Sequence, residues 1–228
     1  AITSVSKHYV NKISKYNNVK GYELLNGFDE QVEKLPQKKL ETNKFIITHN
    51  GSLYNSQKIE PVLEVLKELM ISYKNKIDIF LNFPGLAFDN EQLNRVEKIF
   101  SDLRENVRIT KRLERTEVLK IQQQSHLLLM ISHENIKGIP SSKLYEYIGL
   151  KKPILLYPND KGIIEETLNK TNLGIICNTK EGLKFKLKKI LDNFIINNKI
   201  NIQGIEKEIK LFSRKNQVKK LSEILDAI

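Results

Sequence analysis

The sequence predicts an α/β protein built on a doubly wound, Rossmann-like parallel sheet of six strands, with helices on both faces. Two observations predict it. Short apolar runs alternate with amphipathic stretches from about residue 45 to the end. Several of those runs are apolar throughout, as strands buried on both faces are, and strands separated by helical segments fit the crossovers of a parallel sheet.

The elements follow in order. Residues 45–49, Phe-Ile-Ile-Thr-His, are rich in β-formers and stop at Asn50-Gly51, a turn signal. Over 59–71 apolar side chains recur at Val62, Leu63, Val65, Leu66, Leu69 and Met70, a helical period with one buried face. Residues 77–81 form the next strand, 91–103 a helix, 107–109 a short strand and 116–124 a helix. Residues 126–132 contain the longest apolar run, Leu127 to Ile131, and read as a fully buried strand. A short helix over 142–148, a strand over 153–157, a helix over 162–168, a strand over 173–177 and a Lys-rich helix over 181–194 complete the alternation. In such a fold ligands sit beyond the carboxyl ends of the strands, where strand order reverses. The turns after residues 49, 82, 109, 132 and 157 are therefore the places to look.

The first 44 residues stand outside this alternation. Residues 7–16 fit a helix, 19–26 a strand ending at Asn26-Gly27, and 33–42 a charged connecting loop. The expected division is an interdomain linker with the remnant of a preceding domain over 1–44, a Rossmann-like domain over 45–210, and a closing amphipathic helix over 211–228. Val218, Leu221, Ile224 and Leu225 share one face of that helix. The chain begins Ala1-Ile2 without Met, so it is expected to be a piece of something longer.

Composition sets limits. With 228 residues, 40% apolar and 29% charged, the chain can bury a sizeable core and is not disordered. A single cysteine, Cys177, excludes a disulfide framework and a Cys-based zinc site. No apolar run approaches the roughly 18 residues of a membrane span. No secretory signal is visible, so the expected location is the cytoplasm. Thirty-eight Lys and Arg against 27 Asp and Glu leave a net charge of +11, which invites a nucleic-acid reading. Only six of the 38 are Arg, the residue best suited to bidentate phosphate and base contacts. Ile (29) and Asn (22) are abundant too, a bias an AT-rich genome produces by itself. What the surplus supports is affinity for something anionic, a nucleotide or an anionic membrane surface among them.

Three segments can carry chemistry. Gly138-Ile-Pro-Ser-Ser-Lys-Leu-Tyr-Glu-Tyr-Ile-Gly149 follows the most buried strand and opens a helix, with Ser141 or Ser142 as N-cap after Pro140. Its free amides and positive dipole end suit an anion, and an anion would offset the unfavourable Lys143 in the first turn. Glu146, three residues on, can face the same pocket and suits the paired hydroxyls of a ribose. The plainer reading is a Lys143–Glu146 surface pair on an ordinary capped helix. Asn50-Gly-Ser-Leu-Tyr54, with Lys58 beyond, offers close backbone approach at Gly51, a hydroxyl at Ser52 and a phosphate-seeking cation at Lys58. It is equally a strand-to-helix turn. Thr110-Lys-Arg-Leu-Glu-Arg115 is a cationic turn in which Arg112 either contacts a nucleotide or is merely solvated. His8, His49, His126 and His133 lack metal-ligand spacing, and His133 is of interest only for its place after the buried strand, beside Glu134. No Gly-x-Ser-x-Gly elbow, Gly-Lys-Ser/Thr phosphate loop or Gly-x-Gly-x-x-Gly fingerprint is present.

Taken in order, Val5-Ser6, Leu25-Asn-Gly-Phe-Asp29, Gly51-Ser-Leu-Tyr54, Lys143-Leu-Tyr-Glu-Tyr147, Lys152-Pro-Ile-Leu155, Asn172-Leu-Gly174 and Phe212-Ser213 make the chain resemble a known family. It is similar, from about residue 5 to 225, to the C-terminal donor-binding domain of bacterial group 1 (family 4-like) GT-B glycosyltransferases. The resemblance implies a nucleotide-diphosphate-sugar donor, UDP- or GDP-linked, bound without metal or other cofactor, and sugar transfer with retention of configuration. It places Glu146 on the ribose, Ser141, Ser142 and Lys143 at the diphosphate-facing helix start, and Gly51, Ser52 and Lys58 on the loop opposite. Arg112 and His133 are further nucleotide contacts to be expected, and the catalytic residues are unknown. The acceptor, a growing polysaccharide or lipid-linked glycan, would be met by an N-terminal domain that this chain lacks, so the chain alone is expected to be inactive. The implied setting is the cytoplasm, extending to peripheral association with the inner face of the cell membrane, with no nucleic acid as partner.

One departure stands out. The family often carries two glutamates eight residues apart, and eight before Glu146 stands Gly138. Two rivals remain: the sugar-nucleotide epimerases, which share the architecture, and a basic nucleic-acid-binding module.

Overall fold

The computed structural model describes residues 1–36, 39–133 and 136–228. Two short parallel strands, β1 (Ile2–Ser4) and β2 (Gly21–Glu23), flank helix α1 (Lys7–Asn17), and a single turn, α2 (Glu30–Glu33), follows. The expected strand over 19–26 is thus three residues long. Its partner β1 was not anticipated, because three residues carry too little alternation to read. Of the expected loop over 33–42, residues 37 and 38 lie outside the described set, as does Glu134.

The main unit then alternates as expected: β3 (Lys44–Thr48), α3 (Glu60–Tyr73), β4 (Asp78–Phe83), α4 (Asn90–Ile99), β5 (Val107–Ile109), α5 (Arg115–Gln124), β6 (Leu127–Ile131), α6 (Ser142–Gly149), β7 (Ile154–Tyr157), α7 (Ile163–Thr171), β8 (Gly174–Ile176) and α8 (Lys180–Asn197). The six strands are all parallel, in the order β5-β4-β3-β6-β7-β8. This is the doubly wound sheet that the apolar runs predict. Strand order reverses between β3 and β6, so their carboxyl ends flank the switch point.

Strand β6 shows why the run Leu127 to Ile131 is apolar throughout. Leu127, Leu129 and Ile131 join a core with α3 and α8 on one face, while Leu128 and Met130 join a second core with α6 and α7 on the other. Fully burying each of those side chains is worth about 1.5–3 kcal/mol. Helix α3 runs past its expected end because Tyr73 is itself buried and its hydroxyl donates to Asp192 at 2.6 Å. Helix α4 stops four residues early, where Phe100 leaves helical geometry and turns into the core.

Residues 211–228 hold one helix, α10 (Arg214–Asp226), capped by Ser213 accepting from the Asn216 amide; a short helix before it, α9 (Glu206–Lys210), is not among the expected elements. Of the four apolar residues noted there only Ile224 is buried; Val218 and Leu225 are exposed. Phe28 and Ser213 form an isolated parallel bridge, so the segment before the main sheet and the segment after it meet. Among the described residues no helix is long and apolar enough to cross a membrane.

Candidate functional site

At the switch point, β3 ends and the chain turns through Asn50-Gly51-Ser52. Gly51 has φ +80°, a conformation that L side chains rarely adopt, and its amide donates to the Pro84 carbonyl at 3.0 Å. No atom lies within 4 Å of where a Cβ at Gly51 would stand, so the backbone faces open space. The rest of the loop is tied down by Arg95, which donates to both Glu60 carboxylate oxygens and to the Tyr54 and Gln57 carbonyls. Gln57 in turn donates to the Ile131 carbonyl at the end of β6.

Across from this loop stands the start of α6. Ser141 is its N-cap but makes no side-chain capping bond. Between them lies a cleft of about 450 Å³. Gly51, Ser52, Ser141, Ser142, Lys143 and Glu146 all line it, together with Asn50, Tyr54, Arg115, Arg214 and the 26–29 segment. Hollows of about 570 and 650 Å³ lie elsewhere, one against α10 and one at the other end of the sheet. Position decides here rather than volume, because only this cleft opens at the switch point and collects the loop and helix-start residues.

Lys143 and Glu146 share the cleft without pairing to each other. The Lys143 ammonium lies 3.3 Å from His49 Nε2 and donates to the Ser52 carbonyl, also at 3.3 Å. Burial pulls its pKa down to about 8. Glu146 Oε1 accepts from Gln122 Nε2 at 2.8 Å, and its Oε2 lies 3.7 Å from the Arg115 guanidinium. Arg115 also pairs with Asp29 at 2.6 Å, and Arg214 approaches the same carboxylate at 3.7 Å. The cleft therefore holds two carboxylates and three cations.

Three anticipated residues are not in its lining. Lys58 is exposed, one residue before the buried Ile59. Arg112 lays its guanidinium over the Phe88 ring, 3.9 Å from the centroid. His133 stands behind the loop, its Nδ1 2.8 Å from the Ser56 hydroxyl and its ring 5.5 Å from that of Tyr54. Burial, then the charge of Lys143, lowers its pKa. Conversely, His49, Asp29, Arg115, Gln122 and Arg214 received no role from sequence reasoning. Asp29 lay in a quoted motif and Arg115 at the end of the cationic turn, but nothing local marks either as facing Glu146. Among the described residues no group of three or more His, Cys, Asp or Glu is placed to hold a metal ion.

The sheet order and the helices on both faces are those of the Rossmann-like GT-B fold, as the resemblance implied. No family model and no curated protein matches the sequence. Among solved structures the chain is similar to a glycosyltransferase from Rickettsia africae ESF-5, at 18% identity and TM-score 0.70, over 97% of this chain and 62% of that one. It is also similar to Anabaena HepE, solved in complex with UDP and glucose, at 12% identity and TM-score 0.73, over 99% of this chain and 62% of that one. The likeness extends to a putative UDP-N-acetylglucosamine 2-epimerase from Listeria monocytogenes, at 16% identity and TM-score 0.51, over 74% of this chain and 43% of that one. The chain thus spans less than two thirds of the length of each of these structures.

Proposed function

We propose that the chain is the donor-binding half of a retaining, metal-independent glycosyltransferase that takes a sugar from a nucleotide-diphosphate-sugar, UDP- or GDP-linked. One observation carries the reading: a carboxylate, a desolvated lysine and an uncapped helix start converge on one cleft at the switch point. The chemistry follows from their types. Glu146, held at one oxygen by Gln122 and with Arg115 3.7 Å from the other, accepts from ribose hydroxyls at that second oxygen. Lys143 and the first amides of α6 face the diphosphate from one side and the Gly51-Ser52 backbone from the other. Cleaving the sugar–phosphate bond leaves an extra negative charge on the diphosphate. A cation and amides already fixed in place stabilise that charge without reorganising. Gly51, with no side chain, lets the backbone come close. Lys58 and Arg112 stand outside the cleft lining and have no part in this reading, and His133 only supports the loop.

A full transferase cleft needs a second wall for the acceptor, a polysaccharide or lipid-linked glycan. The structures matched here are longer by more than a third of their length, which supports the reading that this chain alone has little transferase activity.

Thermal unfolding with a nucleotide panel tests the proposal. At a hundredfold excess over Kd a ligand stabilises by about 2.7 kcal/mol. For a chain of this size that raises Tm by roughly 5–11 °C. UDP or GDP is expected to give such a shift, and Glu146→Ala to remove it. The proposal fails if neither nucleotide protects, or if protection survives the substitution. A basic nucleic-acid-binding module would instead show steeply salt-dependent affinity for DNA or RNA and indifference to Glu146→Ala. Product analysis with a nucleotide-sugar and an acceptor separates transfer from epimerisation.

A further inference from the structure

Lys143 occupies the first turn of α6, where the helix end is already positive and a cation is unfavourable. A lysine there ordinarily extends into solvent or finds a carboxylate. This one does neither. Its ammonium turns back toward the sheet and meets His49 Nε2 and the Ser52 carbonyl, each at 3.3 Å.

His49 is the residue after β3 and is 1% exposed. Its Nδ1 lies 3.1 Å from the Leu129 carbonyl of β6, the strand across the switch point. A carbonyl can only accept, so Nδ1 carries the ring proton and Nε2 keeps its lone pair. An ammonium can only donate, so a Lys143 hydrogen points at that lone pair. The relay has one direction, from ammonium to imidazole to strand carbonyl, and it requires a neutral histidine. A protonated ring would set two cations against each other in a buried place. The surroundings favour the neutral form: burial first, then the Lys143 charge, hold His49 well below the ordinary histidine range, outweighing the Leu129 and Ser52 backbone, which act the other way.

We propose that His49 is a positioning residue: by accepting from the Lys143 ammonium at Nε2, it holds that cation between the Gly51-Ser52 turn and the first turn of α6. With one hydrogen on His49 and a second on the Ser52 carbonyl, the third remains for a ligand oxygen. This rests on the reading of the cleft as a diphosphate site and deepens it. His49 itself touches no ligand.

The titratable groups around the ammonium are His49 just after β3, His133 from the segment after β6, and Glu146 one turn further along α6. Glu146 is engaged with Gln122 and Arg115, and His133 with Ser56. Lys143 is therefore the group whose charge loss, near pH 8, should weaken binding of a diphosphate while leaving binding of the nucleoside alone. Removing the Nε2 acceptor disfavours the ammonium, so that weakening should begin at lower pH.

The experiment compares UDP with uridine, and GDP with guanosine, by titration calorimetry from pH 6.5 to 9.5 on the 228-residue chain. The readout is the ratio of nucleoside Kd to diphosphate Kd. His49→Phe, which keeps the ring's bulk and removes the acceptor, should lower that ratio about tenfold, the size expected for a charge-assisted hydrogen bond. Nucleoside binding should be unchanged, and the alkaline fall should start earlier. His49→Gln, whose amide oxygen can still reach Lys143, should stay within about threefold of the parent. Should the Phe variant not fold, His49→Asn carries the same expectation, because it can serve the Leu129 carbonyl but is too short for Lys143. An unchanged ratio in a Phe or Asn variant that still binds nucleoside overturns the inference and leaves the donor-site reading standing. So does a Gln variant that loses as much as Asn. If the parent chain binds diphosphates no better than nucleosides, the donor-site reading fails, and this inference with it.

Discussion

Two tyrosines in one helix should respond oppositely to the same substitution. Tyr145 and Tyr147 both lie in α6 and both are fully buried. The Tyr147 hydroxyl accepts from the Asn50 amide at 2.9 Å, tying the helix to the turn that faces it across the cleft. The Tyr145 hydroxyl is buried and has no hydrogen-bond partner among the described residues. Tyr→Phe leaves shape and apolar area nearly unchanged, so the difference isolates the hydroxyl. At position 147 the loss includes the bond and an Asn50 amide left without its acceptor. Because Asn50 is only half-buried, the lower part of the usual 1–3 kcal/mol range applies, about 1–2 kcal/mol. At position 145 the substitution removes a desolvated polar group that gains nothing in return, a stabilisation of about 1 kcal/mol. For a chain of this size 1 kcal/mol moves Tm by roughly 2–4 °C. Tyr147→Phe should therefore melt roughly 2–8 °C below the parent and Tyr145→Phe roughly 2–4 °C above it. Urea unfolding should rank the three proteins in the same order. If Tyr145→Phe falls as far as Tyr147→Phe, the hydroxyl at 145 has a partner and this account of α6 is wrong.

Two further outcomes follow from the structure. Gly149→Ala would normally favour a helix by about 1 kcal/mol. Here a Cβ would stand 2.6 Å from Phe28 Cγ and 2.9 Å from its Cβ, so the expected result in urea unfolding is a loss of about 1–3 kcal/mol, and a stabilised variant would refute the close packing of α6 on the 26–29 segment. Acid should act through His126: Nδ1 accepts from the Ile46 amide, Nε2 donates to the Glu41 carbonyl, and burial lowers the pKa to about 4. The unfolded chain then binds the extra proton between about pH 6.5 and 4, so stability falls as pH drops through that window, at about 1 kcal/mol per pH unit from this one group. His49 adds to the fall in the same direction. Stability that is level between pH 6.5 and 5 would contradict both assignments.

The sheet was legible because each of its strands is a local fact. A run such as Leu127 to Ile131 must be covered on both sides, and no neighbour is needed to say so. The short elements were not legible for the opposite reason. Strand β1 exists only because β2 pairs with it, and α9 is five residues that close over Leu173 and Phe212 of the second core. The candidate site divides in the same way. Gly51, Ser52, Ser141, Ser142 and Lys143 sit at element ends that the doubly wound fold brings to one edge, and Glu146 lies one turn into α6, so placing the elements also gathers these residues. Lys58 and Arg112 were singled out for charge and nearness in sequence, but neither tells where a side chain turns; Arg112 found the Phe88 ring instead. Asp29, Arg115 and Arg214 meet across separations of 86 residues or more, which no local pattern reports. His49 looked like a strand's last residue, and only the Leu129 carbonyl and the Lys143 ammonium give it a direction.

The glycine at position 138 can now be understood in physical terms. A missing glutamate could mean an eroded site, in which case the backbone would still suit a side chain. It does not. Gly138 has φ +76°, where any other residue is strained. A Cβ there would stand 2.7 Å from His8 Cβ and 3.0 Å from its ring. The Ser6 hydroxyl, buried, donates to the Gly138 carbonyl at 2.8 Å, fixing the loop against the start of α1. The backbone conformation and the close approach of His8 therefore agree on a residue without a side chain, and the Ser6 bond holds the loop in that place. Restoring a carboxylate would require changing the conformation, moving His8 and loosening the first helix together. The segment before the main sheet is thus built into the approach to α6, since Ser6 and His8 shape one side of it and Asp29 reaches Glu146 through Arg115 on the other. Under the proposed function, sugar selection works without a carboxylate at position 138.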